Sequence, residues 1–168
     1  MIVRDFQDRD VAPACALTNH YIQHTAVHFG MYPYSPDEFR AMWQEGVTKY
    51  PWLAAEIDGR FAGYAKGSRW REREAYQFTA EVGLYIERDL QGKGIGKALY
   101  LELFIRLKAA GYHTAVAGVT LPNDASVRLH ESMGFAKVGV FREVGRKMGA
   151  WHDTGWWQLP LGAPDPDD

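Results

Sequence analysis

A glycine-rich turn at Gln91–Lys97 (QGKGIGK) carries the most specific chemical signal in this chain. The stretch before it, Phe78–Ile86, is rich in aromatic and branched residues, which predicts a strand. After it, apolar residues recur every four positions and predict a helix that stops at Gly111: Ile95, Leu99, Leu103 and Leu107. The first backbone NH groups of a helix lack intrahelical partners, and its dipole is positive there. The turn is therefore predicted to bind an anion such as a pyrophosphate.

Several classes of phosphate-binding loop contain glycines, and the spacing of the glycines distinguishes these classes. A Walker loop would need Ser or Thr after Lys97, but Ala98 follows, so no hydroxyl is available for magnesium. A dinucleotide fingerprint fails because Lys97 stands at its last glycine, and no acid lies about 20 residues onward, at Thr114–Val116. Both readings stay minor alternatives. The pattern present, Gln-x-x-Gly-x-Gly, resembles the acetyl-coenzyme A loop of the GNAT N-acetyltransferase superfamily.

A second stretch, Leu121–Phe135, supports that resemblance independently. It follows a predicted strand, Thr114–Val119, and its sequence is similar to the superfamily pattern Asn-x-x-(small)-x-x-Leu-(Tyr)-x-x-x-Gly-Phe. With Asn123 or Asp124 as a cap, a short helix is predicted to reach Met133 and to stop at Gly134. The tyrosine position of the superfamily holds His130 in this chain.

Three further segments narrow the resemblance to the phosphinothricin and methionine sulfoximine acetyltransferases: Thr18–Ile22, Trp70–Tyr76 and Gly145–Gln158. The likeness extends from Ile2 to Leu161. It implies an α+β fold with a GNAT-like mixed, mostly antiparallel central sheet and helices on both faces. It also implies acetyl-coenzyme A as co-substrate and a homodimer.

Acetyl transfer to an amine needs a base for the ammonium and an acid for the departing thiolate. Glu81 lies mid-strand among Ala80, Val82 and Leu84, and a glutamate at the matching position of the resembled branch is the base. The alternative is a solvated acid on the outer face of an alternating strand. His130 is the candidate to donate to the thiolate or to help accept the amine proton, and the C-terminal end of a helix favours the charged imidazole that suits an acid. The alternative is a histidine hydrogen-bonded in the core.

The resemblance extends to the coenzyme and to the acceptor. The main chain of Leu84–Ile86 is expected to bind the pantetheine arm as an added strand, and Gly83 permits a bulge there or simply allows packing. The predicted coenzyme contacts are Leu84, Tyr85, Ile86, Gln91, Gly92, Lys93, Gly94, Ile95, Gly96, Lys97, Asn123 and Ser126.

Four residues are predicted to contact the acceptor: Phe29, Arg71, Arg73 and Tyr76. The guanidinium of arginine matches carboxylate and phosphinate oxygens, so a small amino acid with a second oxyanion-like group would suit the site. The alternative for Arg71–Glu74 is a charged loop that neutralises itself in solvent. The chain departs from the branch at Gly30, where a polar or basic residue is usual.

Three histidines four residues apart, His20, His24 and His28, would share a helical face if the first long helix reached Val27. They lack an identifiable fourth ligand, so no metal site is predicted. The only cysteine, Cys15, excludes an internal disulfide.

The bulk properties fit one domain, predicted over residues 1–162, and a disordered acidic tail over residues 163–168. A net charge of −2, from 19 basic and 21 acidic residues, argues against a nucleic-acid partner. The sequence has no signal-like segment and no long apolar span, which favours a cytoplasmic protein without a membrane partner. A cluster of Trp151, Trp156 and Trp157 indicates packing or a subunit contact.

Local signals predict the other elements. A first strand is expected at Ile2–Arg4, and a helix from about Val11 to Thr25 with Asp8 or Asp10 as cap. Ser35–Glu38 spells a capping box with proline at the first helical position, and Asp58-Gly59 is a hairpin turn. Two closing strands are expected at Ala136–Val144 and Trp151–Leu161.

Three functions are consistent with these residues. The leading hypothesis is an enzyme that moves an acetyl group from acetyl-coenzyme A to the α-amine of a small amino-acid-like compound, by direct attack in a ternary complex. The second is a module that senses acyl-coenzyme A without catalysis. The third is acetylation of a protein N-terminus or lysine, and the aromatic segments Phe29–Tyr34 and Trp70–Tyr76 argue against the open groove that it needs.

Overall fold

A computed structural model describes residues 1–162, and the predicted acidic tail at 163–168 lies outside these residues. The helices are α1 (Asp8–His24), α2 (Pro36–Gly46), α3 (Ile95–Ala109) and α4 (Asp124–Ser132). The strands are β1 (Ile2–Asp5), β2 (Trp52–Ile57), β3 (Arg60–Arg69), β4 (Thr79–Ile86), β5 (Thr114–Leu121), β6 (Ala136–Lys147) and β7 (Ala150–Pro160). Short 3₁₀ turns at Glu74–Tyr76 and Arg88–Leu90 flank β4.

The strands form one seven-stranded sheet in the order β1-β2-β3-β4-β5-β7-β6. Every neighbouring pair is antiparallel except β4 and β5, which are parallel. One face of the sheet packs with α3 around buried residues such as Leu99, Leu103 and Leu107. The other face packs with α1 and α2 around Phe39, Trp52 and Tyr64. The predicted α+β architecture, with a mostly antiparallel sheet and helices on both faces, is confirmed.

Several local predictions hold in detail. The four residues of the α3 stripe are at most 2% exposed. At the start of α2, the Glu38 NH donates to the Ser35 hydroxyl at 3.2 Å, and the Ser35 NH donates to the Glu38 carboxylate at 2.7 Å. The hairpin between β2 and β3 turns at Asp58 and Gly59, both with positive φ. The Ser126 NH donates to the Asn123 side chain at 3.2 Å, so Asn123 caps α4 as expected.

The predicted start of α1 is wrong. The helix begins at Asp8, three residues earlier than expected, and its N-cap is Gln7 rather than Asp8 or Asp10. The Asp10 carboxylate instead accepts from the Gln7 NH at 2.8 Å and pairs with the Arg4 guanidinium at 2.7 Å. Asp10 is therefore buried by an ion pair with β1, a tertiary contact that a cap rule does not include.

A membrane-spanning helix would have to be both long and apolar, and no helix within residues 1–162 meets both conditions. Cys15 is a free, buried thiol. Helix α1 ends at His24, so His28 lies beyond it and cannot share its face with His20. Among residues 1–162, no group of three or more His, Cys, Asp or Glu side chains is arranged to hold a metal ion.

Candidate active site

The parallel strands β4 and β5 separate in the middle of the sheet. They pair only from Thr79 to Glu81 on β4, opposite Thr114 to Val116 on β5. Beyond this point β4 continues to Ile86 beside β3, and β5 continues to Leu121 beside β7. The edge of β4 that faces β5 is therefore without a strand partner after Glu81. Its backbone groups are open to a ligand that runs along the strand.

The place where β4 and β5 separate is called the fork below, and it contains a cleft of about 710 Å³. One wall is Val82–Ile86 of β4, and the other is Gly118–Thr120 of β5. The glycine-rich turn and the first residues of α3 close one end, and α4 covers another side from Asn123 to Ser132. Tyr21 of α1 also borders the cleft, so the opening extends towards the sheet face that carries α1 and α2.

The glycine-rich turn has the backbone of an anion-binding loop. Gly92 and Gly94 have φ values of 76° and 80°, which favour glycine over residues with a side chain. Gly94 is the N-cap of α3, and no side chain caps the helix, so its first NH groups remain available. At Gly96 an added Cβ would lie 3.1 Å from the Leu129 side chain, so a small residue is needed where α3 approaches α4.

Eleven of the twelve predicted coenzyme contacts line the cleft: Leu84, Tyr85, Ile86, Gln91, Gly92, Gly94, Ile95, Gly96, Lys97, Asn123 and Ser126. Lys93 is exposed and is not among the lining residues. The Gln91 amide donates to the Tyr21 hydroxyl at 2.8 Å. This contact joins the turn to α1.

The predicted bulge at Gly83 does not occur. The β3–β4 register runs without a shift from Gly63 to Arg69, and the irregularity of this region lies instead between β2 and β3. Close packing does not explain Gly83 either, because an added Cβ would meet no atom within 4 Å. Gly83 therefore leaves open space on its side of β4.

His130 is 4% exposed, and its ring nitrogens have three hydrogen-bonding contacts, of which the longest joins Nδ1 and the Ser126 hydroxyl at 3.3 Å. Its Nδ1 lies 2.7 Å from the Ser126 carbonyl oxygen, and its Nε2 lies 3.0 Å from the Tyr100 hydroxyl. Because a carbonyl only accepts, Nδ1 carries the proton, and the neutral ring accepts from Tyr100. Burial lowers the pKa of His130, which reverses the direction expected from the helix dipole. Tyr100, which sequence reasoning missed, also lines the cleft, and burial raises the pKa of its hydroxyl.

Glu81 is the last residue of β4 that pairs with β5, and it is partly buried rather than fully solvated. Alternation along β4 puts Glu81, Gly83 and Tyr85 on the face of α1 and α2, where Tyr85 packs against Tyr21. Burial raises the pKa of Glu81, and the positive charges of Arg71 and Lys66 oppose the shift. A carboxylate with a raised pKa beside the fork is suited to accept a proton.

None of the four predicted acceptor residues lines the cleft, and among them Arg71 acts on Glu81 through its charge. The Arg71 guanidinium lies 5.2 Å from the Trp70 ring centroid, and Tyr76 meets the same ring edge-on at 5.0 Å. Arg73 is exposed, and Phe29 is 40% exposed on the loop after α1. Arg71, Glu72, Arg73 and Glu74 are all exposed, and Glu72 pairs with Arg69 at 2.7 Å, so the arrangement is also that of the solvated charged loop of the alternative.

Two residues outside the predicted acceptor contacts lie on the side of the sheet that carries Glu81 and Tyr85. His28 packs 5.9 Å from Tyr85 between ring centroids, and its Nδ1 accepts from the Gly30 NH at 2.8 Å. Burial and nearby lysine charges lower the pKa of His28 to about 4, so it is neutral. An added Cβ at Gly30 would lie 2.8 Å from that Nδ1, which explains the glycine at this position. Lys66 of β3 is the second, and no local pattern marked it.

Comparison of the chain with models of known protein families identifies its family. The model of the Acetyltransferase (GNAT) family matches residues 18–135. The chain belongs to the GNAT acetyltransferase family. The predicted family and the prediction of an N-acetyltransferase are thereby confirmed.

Individual relatives of this acetyltransferase cover nearly its whole length. It is 39% identical to the phosphinothricin N-acetyltransferase of Streptomyces viridochromogenes, over 98% of this chain and 90% of the relative. It is 35% identical to the L-methionine sulfoximine/L-methionine sulfone acetyltransferase of Salmonella typhimurium, over 98% and 99%. Among solved structures, yncA, a putative acetyltransferase of Salmonella typhimurium with its cofactor acetyl-CoA, has a TM-score of 0.94 at 34% identity and covers 99% of this chain and 98% of that one. The predicted resemblance to the phosphinothricin and methionine sulfoximine branch is confirmed.

Proposed function

We propose that this acetyltransferase moves the acetyl group of acetyl-CoA to the α-amine of a small amino-acid-like substrate of the methionine sulfone, methionine sulfoximine or phosphinothricin type. The observation that carries the proposal is the fork between β4 and β5, which opens directly after Glu81. The named relatives that act on these compounds match over nearly the full chain and support this choice of acceptor.

The donor substrate fits the side of the cleft that carries α3 and α4. Its diphosphate would accept from the open NH groups at the start of α3, with Lys97 adding positive charge. Its pantetheine arm would pair with the unpartnered edge of β4, and one strand NH would donate to the thioester oxygen. Asn123 and Ser126 border the same channel.

The reaction proceeds by direct attack with both substrates bound. Glu81, directly or through a water, takes one proton from the substrate ammonium. The neutral amine attacks the thioester carbonyl carbon, so that a C–N bond forms and the C–S bond breaks. As the amide forms, its nitrogen loses a second proton, and one proton reaches the leaving thiolate through the hydrogen-bonded pair His130 and Tyr100, whose Nε2 and hydroxyl oxygen lie 3.0 Å apart. The pair ends in its starting state, and the proton held by Glu81 passes to solvent.

Thiol release measures this activity directly. The purified protein with acetyl-CoA is expected to release thiol on addition of methionine sulfone, methionine sulfoximine or phosphinothricin. Glycine and a lysine-containing peptide serve as controls for acceptor size. Binding of acetyl-CoA without turnover on any acceptor would contradict the proposal and favour the sensing module, and turnover on the peptide alone would favour the protein acetyltransferase.

We also propose a homodimer formed through the β6–β7 hairpin. Large apolar side chains are more than half exposed there: Val138, Phe141, Val144, Met148 and Trp151. Trp157, by contrast, is buried in the core. Sedimentation is expected to show a dimer that Trp151→Glu dissociates, whereas Ile105→Glu, an equally exposed apolar position on α3, leaves it intact. A wild-type monomer would contradict this assignment.

We place the activity in the cytoplasm, where the buried Cys15 would remain a thiol. Fractionation of cells that express the full chain is expected to recover it with the cytoplasmic proteins. Recovery with the membrane or periplasmic fraction would contradict the placement.

A further inference from the structure

Two lysines, Lys66 and Lys147, lie on the side of the sheet that carries α1 and α2. Only one of the two ammonium groups donates to oxygen atoms. The Lys147 ammonium is 2.6 Å from the Ile22 carbonyl oxygen and is also bonded to the His28 carbonyl oxygen. The Lys66 ammonium lies 3.8 Å from the Met42 sulfur and 4.6 Å from the Trp52 ring centroid. Within residues 1–162, no carboxylate lies within 4.0 Å of Lys66. A thioether and an indole face compensate a part-buried ammonium poorly, since it has three donors to satisfy.

The strand register puts Lys66 beside the open space on β4. Lys66 pairs with Gly83, and Glu81 and Tyr85 flank Gly83 on the same face. Gly83 lines the cleft, and the space where its side chain would project contains no atom within 4 Å. A diagonal cross-strand neighbour is within reach of a long side chain, so Lys66 and Glu81 can act on one small molecule above Gly83.

We infer that Lys66 determines acceptor specificity by binding an oxyanion group of the amino-acid substrate while Glu81 faces its amine. The inference rests on the proposed function and names the chemistry of the acceptor: an amine and an acidic oxygen group one small molecule apart. The acidic group is the α-carboxylate or a side-chain acid such as a phosphinate.

The surroundings of Lys66 favour such a contact. Burial lowers its pKa to about 8, so the ammonium is charged at neutral pH although it is partly desolvated. The bound anion would supply the charge-assisted hydrogen bonds that the described residues do not supply. Arg71, the other cation that acts on Glu81, lies on an exposed loop and is not held by a carboxylate in the described chain.

The test removes the charge and keeps the packing. Lys66→Met retains a linear apolar side chain against Trp52 and Met42, and Lys108→Met removes a positive charge from the exposed end of α3. Three acceptors are compared: methionine sulfone, its decarboxylated amine, and phosphinothricin. For Lys66→Met, kcat/KM is expected to fall roughly tenfold to a hundredfold on the acids, mainly through KM, as for loss of one hydrogen bond to a charged group. The kcat/KM for the decarboxylated amine and the KM for acetyl-CoA are expected to change less than about twofold, which is the size of effect that loss of a distant charge explains.

The pattern of losses identifies the oxygen group. Equal losses on methionine sulfone and phosphinothricin, with the amine spared, assign Lys66 to the α-carboxylate. A loss on phosphinothricin alone assigns it to the side-chain acid. An equal loss on all three compounds overturns the inference, because Lys66 would then act through Glu81 or through the fold. No loss on any compound also overturns it, because Lys66 would then not bind the acceptor.

Binding separates failure of this inference from failure of the proposed function. If the wild-type protein releases no thiol with any acceptor, the proposed function fails. Calorimetry of methionine sulfone and phosphinothricin with the protein loaded with coenzyme A then still tests Lys66. Weaker binding of either acid to Lys66→Met than to Lys108→Met supports the inference, and equal binding or none overturns it.

Discussion

The two halves of the cleft differ in how the chain builds them. The proposed coenzyme half is made of three continuous stretches: Leu84–Ile86 of β4, the turn Gln91–Lys97 at the start of α3, and Asn123–Ser126 at the start of α4. The proposed acceptor half brings together Glu81, Lys66 and His28, which lie on two strands and a loop. Sequence motifs can predict the half that depends on local backbone geometry. The half that depends on strand register is known only once the chain is folded. The same contrast predicts that the two halves fail in different ways.

The largest expected effect is on the acceptor half. Glu81→Gln is expected to lower kcat roughly a hundredfold to ten-thousandfold, the range for loss of a general base. Affinity for acetyl-CoA, measured by calorimetry, is expected to stay the same. Since burial raises the pKa of Glu81, the acid limb of kcat/KM should lie above the ordinary range of a glutamate.

Glu45→Gln, at an exposed carboxylate of α2, is the control for this change and is expected to behave as wild type. A Glu81→Gln variant that keeps its turnover would remove Glu81 from the chemistry and would leave the fork without its proposed base.

A smaller effect is expected for a change in the half of the cleft that is proposed to bind the coenzyme. Gly92 and Gly59 have nearly equal φ values, 76° and 78°, and an added Cβ meets no atom within 4 Å at either. Alanine at either site should therefore cost about 1–2 kcal/mol of backbone strain. Gly92→Ala alone is expected to raise the KM for acetyl-CoA, by roughly tenfold if one hydrogen bond to a phosphate is lost.

The KM for the acceptor is expected to be unchanged in both glycine variants. If Gly59→Ala in the distant hairpin raised the KM for acetyl-CoA as much as Gly92→Ala, the effect would come from stability and not from the phosphate loop.

The smallest effect concerns stability and pH. The pKa of His28 is lowered from 6.5 to about 4 in the folded protein, so the unfolded chain binds the extra proton between these values. Stability from the neutral ring is fully present above pH 6.5 and is lost as the pH falls towards 4. Urea unfolding at pH 7 and pH 5 measures the free energy of unfolding. Its decrease from pH 7 to pH 5 is expected to be smaller for His28→Gln than for wild type.

His24→Gln, at the exposed end of α1, is the matched control and should follow the wild-type decrease. Parallel decreases for His28→Gln and wild type would mean that His28 is not held neutral by burial beside Lys147 and Lys66.

Features that depend on a few neighbouring residues were predictable. The capping box at Ser35–Glu38, the turn at Asp58-Gly59 and the cap at Asn123 all rest on hydrogen bonds or φ values within three or four residues. Where a distant partner competes, the local rule failed. Asp10 is paired with Arg4 and lies inside α1. At Gly83 neither suggested reason holds, since β4 has no bulge against β3 there and no atom packs against it.

The site shows the same division. Glu81 and His130 were identified through the resemblance, but burial lowers the pKa of His130, and its Nε2 lies 3.0 Å from the hydroxyl of Tyr100, thirty residues away on α3. In sequence alone, Tyr100 looks like a core residue and Lys66 like a surface residue. Neither has a neighbouring residue that signals its position.

The order of helices and strands and the glycine-rich turn could be predicted from the sequence, because helix caps, glycine conformations and apolar periodicity act over a few residues, and the motifs gave the family. The folded chain was needed to show where β4 and β5 separate, which residues share the face of Glu81, and that burial lowers the pKa values of His28 and His130. Those properties arise from strand register and from exclusion of water, and both require contacts between residues far apart in the chain.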